Sequence, residues 1–481
     1  MRLFICAMIP AAFALLLRLL VGSKRAVRMA VCVGGTFATS LLLLPSLLHP
    51  QQETFVLFRL TDTYRCALRL DEAGSVYLGL AALLWPFAVL YAVEYMAHEE
   101  RERYFFSWYL LAYSAAILLA AAANLFTLYI FYEFLTLLTV PLVWHKRDKE
   151  SIRAARTYLL YLVGGAALGF FSMVAAGQAG AHTFVAGGAL SGAAGREALL
   201  RVMAIAGFIG FGAKAAVLPL CRWLPKASVA PTPVTALLHA VAVVNAGVFS
   251  VLRLIYYTYG TAFLAGTFAQ AVMMLLSGCT VLYGGVRAVR ETRLKQRFAW
   301  STVSNLSYML VGLTLMTPEG MTAGLLHMVY HGLMKIVLFG CAGAVLVQTG
   351  LTEIRAMHGL GWKMPFVFGT MMLAGVALVG LPPLPGFISK YYLVTAALHL
   401  GGGIGIFATV TLILAAFLTA IYVFTVLVPA WFLPLGRSEA ARTARDPGVV
   451  MTVSLGVLCA FVLAASICVQ PLVRFLSSIV A

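Results

Sequence analysis

Long apolar runs recur along the whole chain, separated by short segments that carry charged residues, glycine or proline. A run of about 20 apolar residues can cross a bilayer when it forms an α-helix. The pattern predicts fourteen such helices, which begin near residues 3, 28, 76, 107, 124, 154, 199, 233, 262, 298, 321, 365, 405 and 449. We therefore expect an all-α, polytopic membrane protein with about 14 transmembrane helices.

Composition excludes a water-soluble fold. Of the 481 residues, 62% are apolar and 11% are charged, whereas a soluble domain has about 25% charged residues. The N-terminal segment has a basic residue followed by an apolar run, as a signal peptide has. We interpret it as the first transmembrane helix, because thirteen further runs follow it without an A-x-A-like cleavage site.

The basic residues indicate topology rather than nucleic-acid binding. The chain has 34 Lys and Arg against 17 Asp and Glu, a net charge of +17. Assigning the loops alternately to the two sides places 22 basic residues, Arg297 and Arg437 among them, on one side and eight on the other. Short cytoplasmic loops carry the excess of Lys and Arg, so both termini are predicted to be non-cytoplasmic. The eight on the opposite side are Arg2, Arg59, Arg65, Arg69, Arg196, Arg201, Arg253 and Arg474.

Four basic residues remain inside the predicted helices: Arg18, Lys214, Lys335 and Lys390. Arg18 lies near a helix end, from which its side chain can reach the interface. Glu133 is the only acid predicted deep in a helix. A charged group near the bilayer centre costs about 3 kcal/mol on insertion scales, so these residues indicate a functional site.

Two of the predicted helices are interrupted beside a buried lysine. Proline removes a backbone donor and clashes with the preceding turn, so helices 7 and 12 should be broken. The breaks lie five helices apart, which predicts two inverted five-helix repeats. The predicted segments are three N-terminal helices (1–103), a first repeat (104–260), a second repeat (261–435) and a C-terminal helix (436–481). The interrupting residues are Pro219, Pro225, Pro231 and Pro233 after Lys214, and Gly380, Pro382, Pro383, Pro385 and Gly386 before Lys390.

Three titratable residues share one helix face. His327, His331 and Lys335 are spaced at i, i+4 and i+8, which aligns them over about 12 Å of helix. His239 in the eighth helix would extend this row toward Lys214. The favoured hypothesis is a hydrated polar axis for proton transfer through the middle of the membrane, formed by Glu133, Lys214, His239, His327, His331, Lys335 and Lys390.

A structural role is the alternative for these charges. Glu133 and Lys214 could simply pair and hold two helices together, although one carboxylate cannot neutralise three lysines. On the transport hypothesis, moving or neutralising Glu133 would change the proton affinity of Lys214 and send its proton along the histidines toward Lys390.

The sequence predicts no cofactor and no metal. It has no Walker-type phosphate loop, no metal-spaced Cys/His cluster and no haem-attachment sequence. No catalytic redox site is therefore expected in this chain. If the chain moves ions, the energy must come from a partner or from another ion gradient.

At these residues the chain resembles the antiporter-like membrane subunits shared by respiratory complex I, the Mrp-type sodium/proton antiporters and the membrane-bound energy-converting hydrogenases. The resemblance covers roughly residues 75–435. Besides the stripe formed by His327, His331 and Lys335, it rests on the segments 132–136 (YEFLT), 212–214 (GAK), 223–225 (WLP), 230–234 (APTPV), 238–240 (LHA), 380–383 (GLPP) and 386–390 (GFISK).

The resemblance implies a proton-conducting, or sodium/proton, subunit of a multisubunit redox-driven pump, of the NADH:quinone oxidoreductase or hydrogenase type. It implies two half-channels joined by the polar axis. The implied partners are other membrane subunits, a redox module and the lipid bilayer, with no nucleic acid, and the implied location is the inner (plasma) membrane of a prokaryote.

Three departures from the family pattern stand out. Asn245 replaces a lysine common among relatives, so His239 would carry that step, Tyr391 replaces an acid of some complex I members, and Lys226 replaces a common Asp.

Other functions stay open at this point. The chain could belong to an Mrp-type monovalent cation/proton antiporter, which segments 132–136 and 387–391 favour by resemblance, or it could be a structural membrane anchor. Coupled uptake of a small substrate such as inorganic carbon is a weaker option. The sequence leaves open the transported ion, the direction of pumping, the energy source, the complex, and whether Asn245 alters coupling.

Overall fold

A computed structural model describes residues 1–20, 22–50, 53–61, 63–436 and 438–479. Its N-terminal part contains α1 (Arg2–Leu19), α2 (Arg25–Leu48), the strands β1 (Phe55–Arg59) and β2 (Arg65–Leu68), α3 (Glu72–Tyr95), α4 (Glu102–Ala120), α5 (Leu125–Val143), α6 (Lys149–Gln178) and α7 (Glu197–Gly212). The two strands pair in an antiparallel hairpin, which the search for apolar runs did not predict.

The central part surrounds the longest helix. It contains α8 (Trp223–Ala227), α9 (Thr232–Ala240), α10 (Val243–Leu252), a π-helical turn (Arg253–Tyr259), α11 (Thr261–Leu264), α12 (Phe268–Arg290), α13 (Leu294–Thr314) and α14 (Pro318–Thr349). The C-terminal part contains α15 (Pro365–Val379), α16 (Pro385–Leu400), α17 (Gly402–Phe432), α18 (Glu439–Arg442), α19 (Val449–Ile467) and α20 (Val469–Ser478). Short 3₁₀ turns cover Met96–His98, Ile354–Met357 and Leu360–Trp362.

The prediction of an all-α polytopic membrane protein is confirmed. Among the described residues, eleven helices are long and apolar enough to cross a membrane. The other three predicted runs coincide with α7, α13 and the pair α15–α16. The count of fourteen and the two inverted repeats stay predictions. The ninth run was placed about six residues too early, because Gly266, at φ +71°, separates short α11 from α12.

Helix α14 forms the centre of the protein. It packs against α3, α9, α13, α15, α16 and α19, and its side chains from Gly320 to Met328 and from Tyr330 to Val345 are buried. A helix surrounded by other helices in this way is shielded from lipid. Polar side chains on α14 can therefore form hydrogen bonds with neighbouring helices instead of facing acyl chains.

Both predicted helix breaks are present. Regular helix stops at Gly212 and resumes in α8, and it stops again before Gly380, at φ +95°, and resumes at Pro385. A third break separates α9 from α10. Asn245 Nδ2 and the Tyr77 hydroxyl donate to the carbonyls of Ala240 and Ala242, each at 2.9 Å, which satisfies backbone groups that the break leaves without helical partners.

Two arginines are more buried than predicted. The prediction that Arg253 lies in a loop is wrong, because it continues α10 in the π-helical turn with no exposed surface. Asp71, which caps α3, pairs with it and makes this burial possible. Arg297, also assigned to a loop, lies in the first turn of α13 at 7% exposure and donates to the carbonyls of Glu291 and Tyr422. Arg437 lies outside the described residues.

A carboxylate from α3 caps the N-terminus of α19, which is distant in the sequence. The Glu94 carboxylate, in the last turn of α3, accepts from the backbone N–H groups of Gly448 (2.6 Å) and Met451 (2.9 Å) at the start of α19. We expect Glu94→Ala to destabilise the protein by about 1–2 kcal/mol, because two helix N-terminal donors lose their acceptor. Thermal unfolding in detergent would measure this. Glu100→Ala, at an exposed turn position, is the control, and equal melting temperatures for the two variants would contradict the prediction.

Candidate functional site

Lys214 lies directly after the end of α7 and has no exposed surface. Its ammonium donates to the backbone carbonyl of Tyr132 and lies 3.5 Å from the centre of the Tyr132 ring. Gly247 allows α10 to pack closely on Lys214, because a Cβ at position 247 would lie 2.8 Å from the Lys214 Cβ. A neutral carbonyl and an aromatic face thus hold the buried cation.

Glu133 lies beside Lys214 but does not form an ion pair with it. Glu133 is half-buried on α5, and its Oε1 atom is buried with no protein hydrogen-bond partner. Both residues are within the described part of the chain, and their charged groups are more than 4 Å apart. The carboxylate is therefore near the lysine without being locked to it.

His239 occupies the last turn of α9, immediately before the third break. Its ring packs edge-on against Phe339 of α14, with 4.9 Å between ring centres. Both ring nitrogens are buried and have no protein hydrogen-bond partner. Asn245 uses its amide to hold the break, while its Oδ1 atom also has no protein partner. Asn245 therefore caps the backbone at the third break.

The stripe on α14 is buried along its whole length. His327 shares a hydrogen bond of 2.9 Å with Ser389 of α16, and its ring centre is 6.4 Å from that of His331. His331 has no protein partner for either nitrogen. Lys335 donates to the Phe298 carbonyl at 3.1 Å and to Ser301 Oγ at 2.5 Å. The three side chains thus line one face of α14, as their spacing predicts.

Lys390 interacts with the end of the broken twelfth span. Its ammonium donates to the carbonyls of Leu378 (2.8 Å) and Val379 (2.9 Å), the last two residues of α15. Carbonyls at a helix C-terminus attract a cation. The Tyr308 ring lies between this lysine and His327, stacked on the imidazole and with its centre 5.5 Å from the ammonium. Tyr391 is 58% exposed.

Many polar atoms in this region have no protein partner. Of the eighteen buried side-chain N and O atoms without a protein partner among the described residues, eight belong to Glu133, His239, Asn245, Asn305, His327 and His331. Leaving a buried polar atom unpaired costs about 1–3 kcal/mol, and native proteins satisfy nearly all such atoms with protein or water. We infer that water molecules bridge these groups.

Comparison with known proteins identifies the family. The model described as "NADH:quinone oxidoreductase/Mrp antiporter, TM" matches residues 122–418, which include Glu133, Lys214 and Lys390. The chain belongs to this family. NADH-quinone oxidoreductase subunit L of Mycobacterium tuberculosis is 30% identical over 387 residues, covering 80% of this chain and 60% of that protein. A Na(+)/H(+) antiporter subunit of Alkalihalophilus pseudofirmus is 31% identical over 353 residues, covering 68% of this chain and 42% of that protein.

Solved structures support the same fold for this member of the family. A chain in the structure of the membrane-bound sulfane sulfur reductase (MBS), an archaeal respiratory membrane complex, has a TM-score of 0.85 at 21% identity, with 99% of this chain and 98% of that chain covered. At this identity the likeness concerns the fold. The chain spans less than two thirds of the length of the two curated relatives described above.

Three polar partners of the relay residues were missed by sequence reasoning. They are the Tyr132 carbonyl, which binds Lys214, Ser301, which binds Lys335, and Ser389, which binds His327. A backbone carbonyl carries no sequence signal. Ser301 does, because α13 contains six buried polar residues between positions 301 and 308, and such a run is unusual in an apolar span. Among the described residues, no group of three or more His, Cys, Asp or Glu could hold a metal ion.

Proposed function

We propose that this chain is the proton-conducting membrane subunit of a multisubunit redox-driven ion pump, of the complex I or energy-converting hydrogenase type. Protons are the ion we favour, and Na⁺ is the open second ion. One observation carries the proposal: titratable side chains with unpartnered buried atoms, Glu133, His239, His327 and His331, lie among three buried lysines. Such atoms require water, and water between titratable groups conducts protons.

The proposed mechanism uses the different contacts of the three lysines. Lys214 is held by a carbonyl and a ring, and the Glu133 carboxyl group lies near enough to act on it electrostatically. A change in the position or charge of Glu133 alters the electrostatic free energy of the Lys214 ammonium. The proton then passes through water to His239, along the α14 stripe and on to Lys390. Each imidazole can accept a proton at one nitrogen and donate from the other.

A cavity on the side with more basic residues supports access to this row. It has a volume of about 240 Å³ and is lined by Lys146, Asp148, Arg293 and Lys295, among others. Lys295 donates to the Ala230 carbonyl at 2.5 Å, and it precedes Phe298, the residue whose carbonyl binds Lys335, by one turn of α13. We propose this cavity as the cytoplasmic entry for the ion.

The remaining assignments belong to the same proposal. The partners are other membrane subunits and a redox module, in the plasma membrane of a prokaryote, with both termini outside the cytoplasm. We also propose the division into four segments and the two inverted repeats; the segments are 1–103, 104–260, 261–435 and 436–481.

A role within an Mrp-type antiporter is the second candidate, since the relative from Alkalihalophilus pseudofirmus at 31% identity is named as part of a Na(+)/H(+) antiporter. A purely structural anchor is disfavoured, because the one carboxylate of Glu133 cannot neutralise the three buried lysines Lys214, Lys335 and Lys390.

Purification of the native complex tests the proposal directly. We expect absorption from an iron–sulfur or nickel centre in co-purifying subunits, and proton uptake by sealed proteoliposomes during redox turnover. Proton movement that requires a Na⁺ or K⁺ gradient, without a redox centre, would select the antiporter alternative.

We expect Lys335→Ala to reduce proton uptake at least tenfold, measured with a pH-sensitive dye in the assembled complex. Lys363→Ala, at an exposed position, is the control. Uptake at the wild-type rate in Lys335→Ala would remove Lys335 from the proposed pathway.

A further inference from the structure

A chain of hydroxyl groups leads from Lys335 to helix α17, away from the row of histidines. Lys335 donates to Ser301 Oγ at 2.5 Å, Ser301 Oγ lies 3.0 Å from the Tyr422 hydroxyl, and that hydroxyl lies 3.3 Å from Thr419 Oγ1. Thr419 Oγ1 lies 2.8 Å from the Ala415 carbonyl. All four side chains are fully buried, so this chain has direct contacts at every step.

The charge state of Lys335 determines which group donates and which accepts at each hydrogen bond of this chain of hydroxyls. An ammonium can only donate, so Ser301 accepts from it and donates to Tyr422, which donates to Thr419, which donates to the Ala415 carbonyl. A neutral amine has a lone pair and can accept. Each hydroxyl can then rotate, so that Thr419 donates to Tyr422, Tyr422 to Ser301 and Ser301 to Lys335. No heavy atom has to move for this reversal.

Asn305 supports both directions. Its Nδ2 atom donates to the Ser301 carbonyl at 2.7 Å and lies 3.4 Å from the Tyr422 hydroxyl. The second contact supplies Tyr422 with a donor that does not depend on the orientation of Ser301. Asn305 therefore fixes the Tyr422 oxygen in place while the hydroxyl hydrogens reorient.

We propose that the hydroxyls of Ser301, Tyr422 and Thr419 form a reversible solvating chain that stabilises both the charged and the neutral state of Lys335. Tyr422 is then a positioning residue for proton transfer through Lys335. The inference rests on the proposed function, because it assumes that Lys335 changes its charge. The titratable groups that act electrostatically on the same site are His331, one turn away on α14, and His239 on α9. Neither makes a direct protein hydrogen bond to Lys335, unlike Ser301.

A merely structural role for the Tyr422 hydroxyl is the competing explanation. Helices α13 and α17 have other polar contacts, because the Tyr308 hydroxyl donates to the Leu412 carbonyl at 3.0 Å and Arg297 donates to Thr425 Oγ1 at 2.8 Å. Removing the Tyr422 hydroxyl should therefore leave the helix packing intact. It should remove the relay of hydrogen bonds to Lys335.

The test compares Tyr422→Phe and Ser301→Ala with matched controls in the assembled complex, reconstituted in proteoliposomes. We expect Ser301→Ala to reduce proton uptake per turnover roughly tenfold, the effect of losing one hydrogen bond to a charged group. Tyr422→Phe removes the neutral hydroxyl that Ser301 contacts and should reduce uptake by a smaller factor. Both variants should move the midpoint of the pH–rate profile. Tyr91→Phe and Ser304→Ala are the controls. Their hydroxyls are buried and donate to the backbone carbonyls of Gly340 and Val281. Both controls should keep the wild-type rate and profile.

Three further variants make the result decisive. Thr419→Ser keeps the terminal hydroxyl and should retain the wild-type profile, whereas Thr419→Val removes it and should shift the profile as Tyr422→Phe does. The double variant Ser301→Ala/Tyr422→Phe should be no worse than Ser301→Ala, since both changes break one chain. Wild-type profiles in Tyr422→Phe and Thr419→Val, with Lys335→Ala defective, would overturn the solvating chain alone. Wild-type uptake in Lys335→Ala would instead overturn the use of Lys335 in the proposed function.

Discussion

Replacing Lys214 with methionine is expected to abolish ion translocation while the complex still assembles. The methionine fills a similar volume, but it cannot hold a proton or respond to Glu133. General acid–base groups contribute roughly 100-fold or more to proton-transfer steps. Among the described residues, no other basic side chain donates to the Tyr132 carbonyl, so none is in place to substitute for Lys214. Folding should not suffer, because a buried charge held by one carbonyl and one ring is itself costly.

The measurement is proton uptake by proteoliposomes, normalised to the amount of assembled complex. Lys226→Met is the matched control, because Lys226 is an exposed lysine only twelve residues away on the same broken span. We expect the control to pump at the wild-type rate. If Lys214→Met also pumped at that rate, the first half of the proposed relay would have to be abandoned.

Replacing Arg253 with methionine is expected to cost about 3–5 kcal/mol of stability, the largest effect among the predicted structural changes. Arg253 is completely buried and donates to both carboxylate oxygens of Asp71, one of them at 2.6 Å. Three aromatic rings lie 4.6–4.9 Å from its guanidinium carbon. Removing the guanidinium leaves the Asp71 carboxylate, whose side chain is 26% exposed, without its partner and removes the contacts with the three rings.

Thermal unfolding in detergent, with circular dichroism as the signal, would measure this loss. Arg201→Met is the control, because Arg201 packs on one ring, that of Phe263, and donates to the Phe263 carbonyl, with no acid partner described. Its melting temperature should stay close to that of the wild type. Equal melting temperatures for Arg253→Met and the control would show that the Asp71 contact adds nothing to stability.

The same pair predicts the pH dependence of stability. Burial alone would raise the pKa of Asp71, but the Arg253 charge, its hydrogen bonds and the Gly74 N–H together hold that pKa below the ordinary value of 3.8. The stabilisation is therefore fully present above pH 3.8 and is lost as the pH falls through the lower, folded-state pKa. Unfolding scans at acidic pH should show this loss in the wild type and not in Asp71→Asn.

Sequence reasoning reached the chemistry of the relay but not its contacts. The lysines and histidines were predicted as a buried set because charged groups in apolar spans are rare and costly, and all seven predicted residues lie inside helices or at helix breaks. Their hydrogen-bond partners could not be predicted. Lys390, for example, binds the carbonyls that end α15, and any residue could have supplied them.

The third helix break, between α9 and α10, was not predicted from the sequence. Proline and glycine predicted the breaks in helices 7 and 12, because these residues alter the backbone wherever they occur. The break between α9 and α10 contains neither, and it is stabilised by Tyr77 from a different helix and by Asn245. A break of this kind depends on a side chain that is far away in the sequence.

The sequence alone determined the membrane class, the approximate positions of the spans and the lysines and histidines that form the buried row, since apolar length and residue type are local properties of the chain. Only the tertiary structure decided which group neutralises or solvates each charge. Arg253 pairs with Asp71 across 182 residues, and Lys335 is linked through Ser301 to Tyr422, 121 residues beyond that serine. Partners so distant are selected by the packing of helices, because burial free energy depends on the three-dimensional surroundings of a group.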